Sequence, residues 1–431
     1  MNNETSPDTT LAEKIDNAVE SLEQEMIDFA QGLFRIPTQV PPGNNYRECT
    51  QYIGAFMEKI GMKVQYAEVP EHLLGNLVPD GEGLPRISVI GTLKGKEQRP
   101  NIHFTGHYDV VPEGTGWSRN PYGAELDNGK IYARGSSDQK SGIVSQIFAC
   151  YALIKAGIKL NGTYIASATP DEEIGGFGGV GFLVEQGLIT KENTDYCVVT
   201  ECLDADKICI GHRGTMWFEI ELLGKQCHGA MPALGISAIG HLKLLLKAID
   251  EKILSMPEFA RTTELPIQPP ACRKMTLATT YIHSGDKVNT VPGNCKVGFD
   301  WRLTPEYSAK WAKNLILSLC DELKAANEGF DYKFREILSA TPTLVKDNSR
   351  AVKAFQDAGR TVLGKEMEFS LSPGFTDQRF IVNDGGVEQC IIYGPGLLEQ
   401  AHKADEYVTV DDMKASAKIM ALAAVTLLGS A

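Results

Sequence analysis

The chain has 431 residues, and its 42 lysines and arginines against 55 aspartates and glutamates give a formal net charge of −13. At about 150 residues per domain, this length predicts two or three domains. Hydrophobic residues make up 43% and charged residues 23%, fractions that exclude a wholly disordered chain. The acidic balance, without any basic run, argues against a nucleic-acid partner.

The two ends of the sequence predict neither secretion nor membrane insertion. Residues 1–14 lack a basic stretch followed by an apolar one, which argues against a signal peptide. The apolar run 419–428 is half of the ~20 residues that a membrane helix needs. Ten cysteines are scattered without a C-x-x-C pair, which fits the reduced thiols of a cytoplasm. We therefore predict a cytoplasmic protein that does not bind membranes.

Hydrophobic periodicity divides the first half of the chain into helices and strands. Apolar residues at steps of three and four predict a helix over 11–33, and a second helix is predicted over 46–60. Short strands then alternate with helices, which is typical of an α/β layer with a largely parallel sheet and ligand sites at the carboxyl ends of its strands. The predicted strands are 101–105, 163–168 and 196–200, and the predicted helices are 140–156 and 179–186.

The pattern changes near Gly211 and returns after residue 339. Between these points the predicted order is strand, helix, strand, strand, helix, strand, which is the ferredoxin-like order. The strands are 216–223, 275–282, 296–303 and 332–337, and the helices are 237–254 and 306–327. The sequence thus predicts an α/β/α domain with a mixed sheet, formed by 1–212 and 340–431 and interrupted by a ferredoxin-like α+β domain over 213–339.

Polar residues interrupt the ends of the predicted strands. His107 and Asp109 follow the first strand, and they fit either a metal ligand oriented by a carboxylate or a turn with a hydrogen-bonded histidine. Asp138 opens a predicted helix, where it fits either an N-cap or a carboxylate that bridges two metal ions.

Further acids follow the next two strands. Asp171, Glu172 and Glu173 are consecutive, so they repel one another unless exposure or cations relieve them. An exposed loop is one interpretation, and a metal ligand, Glu173, beside a general base, Glu172, is the other. Glu201 ends the strand 196–200, and His402 lies in a predicted loop.

Taken together, these residues predict a site for two metal ions. Two divalent cations would balance three carboxylates and a bridging hydroxide, and nitrogen and oxygen ligands suit zinc, with cobalt or manganese as substitutes. Such ions would activate a water and polarise a carbonyl group, and Glu172 would transfer the proton. The predicted metal ligands are His107, Asp138, Glu173, Glu201 and His402.

In these five motifs, from about residue 25 to residue 428, the chain resembles the dinuclear-zinc amidohydrolases and exopeptidases. That superfamily includes succinyl-diaminopimelate desuccinylase, acetylornithine deacetylase, the aminoacylases and bacterial glutamate carboxypeptidase. The resemblance implies that one zinc is held by His107 and Glu201 and the other by Glu173 and His402. It also implies that Asp138 bridges the two ions and precedes a cis peptide.

The inserted domain resembles the lid and dimerisation domain of this superfamily, which implies a homodimer. His228, in 227–232, would reach across the dimer to stabilise the oxyanion. Asn289 and Arg302 match segments that hold the substrate carboxylate, with a surface salt bridge as the alternative for Arg302. Gly374 and Thr376 belong to a segment that resembles the Gly-Thr/Ser-Asp substrate loop.

Several positions depart from the family pattern. Gln139 to Ser141 replace Met-Lys-Gly, Gly229 and Ala230 replace two serines, and Ser237 replaces an asparagine. The resemblance implies that these changes touch substrate-facing loops rather than metal ligands, so the reaction type is retained while the acyl group stays open. Glu201, in place of aspartate, favours the deacylase and carboxypeptidase branches. We predict a metal-dependent deacylase of an N-acyl amino acid or related small carboxylate; the alternatives are a carboxypeptidase or dipeptidase, and a deacylase or deformylase of a non-amino-acid amine.

Four other classes of protein are less consistent with the sequence. The first is a nicotinamide or flavin oxidoreductase, because the stretch 176–181 satisfies the dinucleotide-binding pattern G-x-G-x-x-G. However, this stretch begins eight residues after a predicted strand, and it follows three acids that would face the pyrophosphate. A thiol hydrolase would use Cys202, or Cys227 beside His228, yet adjacent residues of a strand point to opposite faces. A serine hydrolase of the nucleophile-elbow type would need the motif G-x-S-x-G, which does not occur in the sequence. A binding protein that has lost catalysis would lack one of the metal ligands or the base, and all of them are present.

Overall fold

Two helices, rather than the single predicted one, carry the N-terminal apolar stripe. In the computed structural model, which describes residues 7–78, 81, 83–201 and 204–430, α1 spans Pro7–Glu20 and α2 spans Glu23–Phe34. Between them the Ser21 hydroxyl donates to the carbonyl of Ala18 over 2.7 Å, and such bonding by serine competes with helical hydrogen bonds. The apolar spacing continues through this break, so the prediction of one helix over 11–33 is wrong.

The following helices and strands lead to the middle of the chain. They are α3 (Tyr46–Lys59), β1 (Lys63–Glu68), α4 (Glu71–Leu77), β2 (Ile87–Leu93), β3 (Asn101–His107), β4 (Glu125–Asp127), β5 (Lys130–Tyr132), α5 (Ser141–Lys155), β6 (Thr163–Thr169), α6 (Phe182–Glu185), β7 (Tyr196–Val199) and β8 (Lys207–His212). The strands predicted over 101–105, 163–168 and 196–200 and the helix predicted over 140–156 are confirmed to within two residues. The helix predicted over 179–186 is shorter, because a turn at Phe177–Gly181 precedes it.

The six longest of the next ten elements follow the predicted strand–helix–strand–strand–helix–strand order. The ten elements are β9 (Gly214–Leu223), β10 (Cys227–His228), α7 (Ala238–Ile249), α8 (Pro257–Ala260), β11 (Thr276–Ser284), β12 (Thr290–Val291), β13 (Asn294–Leu303), α9 (Ala309–Ala326), β14 (Asp331–Ala340) and β15 (Thr343–Leu344). Four of the strands form one antiparallel sheet in the order β11-β13-β9-β14. Its apolar face packs against α7 and α9, with Trp301 and Phe218 fully buried.

The last part of the chain contains α10 (Arg350–Leu363), β16 (Glu368–Ser372), β17 (Cys390–Ile392), β18 (Tyr407–Thr409) and α11 (Val410–Leu428). The large sheet runs β1-β2-β6-β3-β7-β17-β8, and β16 also pairs with β8. Strands β6, β3, β7 and β17 are parallel neighbours, whereas β1 runs antiparallel to β2, β2 to β6 and β8 to β17, so the sheet is mixed as predicted.

The chain divides into two units. The first takes the described residues of 1–211, 345–370 and 376–431, and the second takes 212–344 and 371–375. The segment 371–375, which the sequence division placed in the last part of the α/β domain, groups with the second unit. In the first unit α5, α10 and α11 pack together, and α5 is buried along nearly its whole length. Among the described helices, none is both long and apolar enough to cross a membrane.

Candidate metal centre

Three neighbouring parallel strands of the first unit end at one edge of the large sheet. Strand β3 pairs with β6, which sets His107 opposite Thr169, and with β7, which sets Thr105 opposite Val199. Because the strands are parallel, the residues that follow them meet at this edge. The predicted site residues at these strand ends are His107, Glu172, Glu173 and Glu201.

The carboxylate of Asp138 lies between two imidazoles. Its Oδ1 is 3.2 Å from Nε2 of His107, and its Oδ2 is 3.4 Å from Nε2 of His402. Lys140, not Asp138, occupies the N-cap position of α5, so the capping interpretation of Asp138 is wrong. The peptide bond between Asp138 and Gln139 is cis, as the resemblance implies.

Each of these histidines also lies against one glutamate. Nε2 of His107 is 3.6 Å from Oε1 of Glu201, and Nε2 of His402 is 3.0 Å from Oε1 of Glu173. The structure therefore brings the five predicted ligands together as two histidine–glutamate pairs with Asp138 between them. Their roles as ligands stay predictions, but the grouping is the one that the resemblance implies.

The donor atoms of this cluster fit divalent cations. Ligand atoms of His107, Asp138 and Glu173 lie within 4.8 Å of one another, and the same holds for His107, Glu172 and Glu201. Imidazole nitrogens with carboxylate oxygens are donors that zinc, cobalt and manganese accept. Glu172, which we expect to act as a base, also lies within reach of a cation at this place.

Carboxylates crowd this buried place, and the pKa values show the effect. Burial and then the charge of Glu201 raise the pKa of Glu172 well above its ordinary value, and burial raises the pKa of Glu201 to about 8. Burial and then the charge of Asp138 raise the pKa of Glu173. Hydrogen bonds to Asp138 and Glu173 raise the pKa of His402 to about 10. The excess negative charge is what bound cations would neutralise.

Asp109 holds the turn that carries two of the predicted site residues. Its Oδ1 accepts the backbone N–H of Glu172 over 3.2 Å, and its Oδ2 accepts that of Glu173 over 3.1 Å. Nδ1 of His107 lies 3.0 Å from the backbone oxygen of Asp109 and 3.4 Å from its Oδ1. Asp109 therefore contacts His107 as expected, while its bonds to the turn are a contact that the sequence did not predict.

The three consecutive acids 171–173 do not share one environment. Asp171 faces the interior, where its Oδ2 accepts Nε–H of the fully buried Arg86 over 2.7 Å and its Oδ1 accepts the hydroxyl of Tyr46 over 3.0 Å. Burial raises the pKa of Asp171 to about 6, although the Arg86 charge opposes this shift. An exposed acidic loop is therefore the wrong interpretation, because Asp171 anchors the turn from within.

Glu406 is a second buried acid that the sequence interpretation left without a role. Its carboxylate accepts backbone N–H groups of the turn that carries Asp138, and it pairs with the buried Arg134. Its only signal in the sequence is its position four residues after His402.

A family comparison decides the class of this centre. The model of Peptidase family M20/M25/M40 matches residues 103–426, about three quarters of the chain. The chain belongs to this family. It is therefore a metal-dependent hydrolase of amide bonds, and the resemblance stated from the sequence is confirmed.

Individual relatives cover most of the chain. Succinyl-diaminopimelate desuccinylase of Hydrogenovibrio crunogenus is 28% identical over 412 residues, which cover 94% of this chain and 99% of that protein. The enzyme of the same name from Marinobacter nauticus is 29% identical over 335 residues, covering 76% of this chain and 84% of that protein. Human carnosine dipeptidase 1 matches with a TM-score of 0.75 at 18% identity, covering 97% of this chain and 99% of that one. This last similarity shows the fold.

His228 and Asn289, both predicted to contact substrate, lie on adjoining segments of the second unit. Strand β10 pairs with β12, which sets His228 opposite Thr290. Nδ1 of His228 accepts the N–H of Ala230 over 3.0 Å, and the N–H of Gly229 donates to the carbonyl of Asn289 over 2.7 Å. A Cβ on Gly229 would lie 2.9 Å from that carbonyl oxygen, which accounts for glycine where the family often has serine.

The other predicted substrate contacts are divided between the units. The guanidinium of Arg302 donates twice to the Asp300 carboxylate, from Nε to Oδ1 over 2.8 Å and from Nη2 to Oδ2 over 3.0 Å. It also lies 5.6 Å from the ring centre of Trp217. The ion-pair interpretation of Arg302 therefore has a definite partner, and carboxylate binding stays a prediction. Gly374 lies in the second unit, and the buried Thr376 lies in the first.

The glycine-rich stretch 176–181 has a packing explanation. It follows β6 by several residues and forms a turn, and a Cβ on Gly179 would lie 2.0 Å from the carbonyl oxygen of Pro170. Glycine is required there by the close approach of two backbone segments, with no need for a bound dinucleotide.

Of the two cysteines proposed for a thiol mechanism, the described one, Cys227, gives it no support. The half-buried Cys227 donates its thiol hydrogen to the carbonyl of Met231 over 3.4 Å. Cys202 lies outside the described residues.

Proposed function

We propose that the chain hydrolyses the amide bond of an N-acyl amino acid or of a related small carboxylate, using two Zn²⁺. His107 and Glu201 would hold one zinc, Glu173 and His402 would hold the other, and Asp138 would serve both. The observation that supports this most is the Asp138 carboxylate, which turns one oxygen to each histidine at 3.2 and 3.4 Å. Cobalt and manganese accept the same donors and are the expected substitutes.

The side chains divide the remaining work of the reaction. When bound, the cations supply a Lewis acid for the carbonyl oxygen and a water of lowered pKa. Glu172 takes a proton from the attacking water and gives it to the leaving amine. Asp109 positions Glu172, because its Oδ1 accepts the backbone N–H of Glu172 over 3.2 Å. His228 of a second copy donates to the carbonyl oxygen as its charge develops, and Arg302 pairs with the substrate carboxylate, assisted by Asn289, Gly374 and Thr376.

The substrate class follows from the relatives. Two proteins that resemble most of this chain are named succinyl-diaminopimelate desuccinylase, which supports removal of an acyl group from an amino-acid amine. Peptides are the second substrate class, since the fold is shared with a dipeptidase, and an N-acylated amine that is not an amino acid is the third.

The second unit acts as a lid and as the dimerisation domain. Exposed apolar side chains in it support a protein partner: Met231 is 52% exposed, Leu234 62% and Val288 fully exposed. The enzyme works in the cytoplasm; no disulfide bond joins any of the nine described cysteines, which suits a reducing compartment.

A substrate panel combined with one variant tests this proposal. N-succinyl, N-acetyl and N-formyl amino acids and dipeptides are offered to the wild type and to Glu172→Gln, and amine release is measured. We expect the wild type to cleave at least one N-acyl amino acid and Glu172→Gln to be about 10²–10⁴-fold slower with unchanged zinc content. Glu185→Gln, an exposed acid on α6, is the matched control.

The outcomes separate the candidate functions. Cleavage of dipeptides alone would favour the exopeptidase, and cleavage of simple N-acyl amines alone would favour the third class. Full activity of Glu172→Gln would contradict its role as the base.

A further inference from the structure

Glu406 lies where two predicted ligand segments meet. It follows His402 by four residues and directly precedes β18, which pairs with β5. Its side chain, 1% exposed, hydrogen-bonds to the turn Ser136–Lys140, which carries Asp138. One carboxylate thus joins two segments that are far apart in the chain.

Both oxygens of the Glu406 carboxylate accept hydrogen bonds. Oε1 accepts the backbone N–H of Ser137 over 2.8 Å and that of Asp138 over 2.9 Å. Oε2 accepts the backbone N–H of Gly135 over 3.1 Å and Nη1–H of Arg134 over 2.5 Å. The two oxygens therefore hold three backbone N–H groups of this segment, those of Gly135, Ser137 and Asp138.

Neighbouring contacts tie the same segments together. The guanidinium of Arg134 also donates to the carbonyl of Lys403 over 3.2 Å, directly after His402. The Ser137 hydroxyl accepts the N–H of Leu397 over 2.6 Å. The loop of His402 and the turn of Asp138 consequently share one buried hydrogen-bond network.

We propose that Glu406 is a positioning residue that sets the Asp138 carboxylate against His402, and so determines how tightly both metal ions bind. This inference rests on the metal site of the proposed function and adds a residue outside the predicted ligand set. Partners that orient a ligand in this way typically contribute about 10–100-fold to metal affinity. Because Asp138 would serve both ions, replacement of Glu406 should weaken the binding of both. Loss of His402 should weaken chiefly the binding of one.

Glutamine is the most informative replacement for Glu406, because its side chain has the same size but one acceptor oxygen fewer. In either orientation of its amide, the –NH₂ group of Glu406→Gln faces N–H donors and cannot be satisfied. Glu406→Asp keeps two acceptor oxygens but withdraws them by one methylene, so its effect should be smaller. Asp195→Asn is the matched control, since Asp195 also accepts from an arginine (Arg99, 2.5 Å) and from a backbone N–H (Asn101, 2.7 Å), at the opposite end of β3 from His107.

The measurement is zinc affinity of the full chain, loaded, stripped and titrated against a competing chelator, with far-UV circular dichroism and thermal unfolding as checks of the fold. We expect Glu406→Gln to bind both ions about 10–100-fold more weakly, Glu406→Asp to lie between it and the wild type, and Asp195→Asn to equal the wild type.

The alternatives give different results. If Glu406 only stabilises the fold, Glu406→Gln would lower the unfolding temperature and leave the zinc affinity of the folded protein unchanged. That result would overturn the inference. If Glu406→Gln does not fold, wild-type affinity in Glu406→Asp would overturn it as well. A wild type that binds no zinc would instead contradict the proposed function.

Discussion

Replacing Arg86 by methionine keeps a long apolar stem and removes the guanidinium that faces Asp171 inside the first unit. The two side chains are 0% and 1% exposed and are joined at 2.7 Å, so the variant leaves a buried carboxylate that keeps the hydrogen bond from the Tyr46 hydroxyl. The backbone carbonyls of Pro42 and Leu84 lose their donors too, at 2.7 and 3.0 Å. Removing one partner of a buried pair costs about 3–5 kcal/mol of unfolding free energy.

Urea unfolding, followed by circular dichroism, measures this loss through the midpoint and slope of the transition of the first unit. Adding Asp171→Asn should restore part of the stability, because the unpaired charge is gone and asparagine tolerates the left-handed φ of 69° at this position. Arg99→Met, which breaks a pair whose arginine is 48% exposed, is the control and should cost far less. A loss below about 1 kcal/mol in Arg86→Met would refute the reasoning, since a buried carboxylate cannot be that indifferent to its partner.

Three further substitutions test the centre itself. Asp109→Asn turns an amide –NH₂ towards a backbone N–H of Glu172 or Glu173, so kcat/KM or zinc affinity should fall about 10–100-fold; unchanged kinetics and affinity would show that Asp109 does not hold this turn. His402→Ala should leave about one zinc per chain by elemental analysis, and retention of two zincs would remove it from the ligand set. His228→Ala should lower kcat about 10²–10³-fold with zinc content unchanged. Mixing it with Glu172→Gln should restore activity after subunit exchange if His228 acts across a dimer, and no recovery would place it within one chain.

Much of the fold could be predicted because its signals are local. Alternating apolar runs located β3, β6 and β7, and the change of pattern after residue 211 located the elements from β9 to β14. The break at Ser21 could not be found, since the apolar spacing continues across it and only a side-chain hydrogen bond marks it. Strand neighbours are equally non-local: the order β2-β6-β3 brings together residues that the sequence separates by helices and loops.

The clustering of the five residues predicted as ligands could be anticipated because they lie at strand ends or in loops and match family motifs. The buried residues that hold this cluster in place could not be predicted. Asp171 and Glu406 differ from neighbouring acids only in the direction of their side chains. Their arginine partners, Arg86 and Arg134, lie 85 and 272 residues away in the chain. Nothing in a short window distinguishes a buried anchor from an exposed charge.

Metal content, together with amide hydrolysis before and after chelation, tests the central claim most directly. The account predicts two zinc ions per chain, hydrolysis of an N-acyl amino acid that stops when the metal is removed, and recovery when zinc is restored. A purified, folded chain that binds no metal after reconstitution, or that hydrolyses its substrate at full rate without metal, would contradict it.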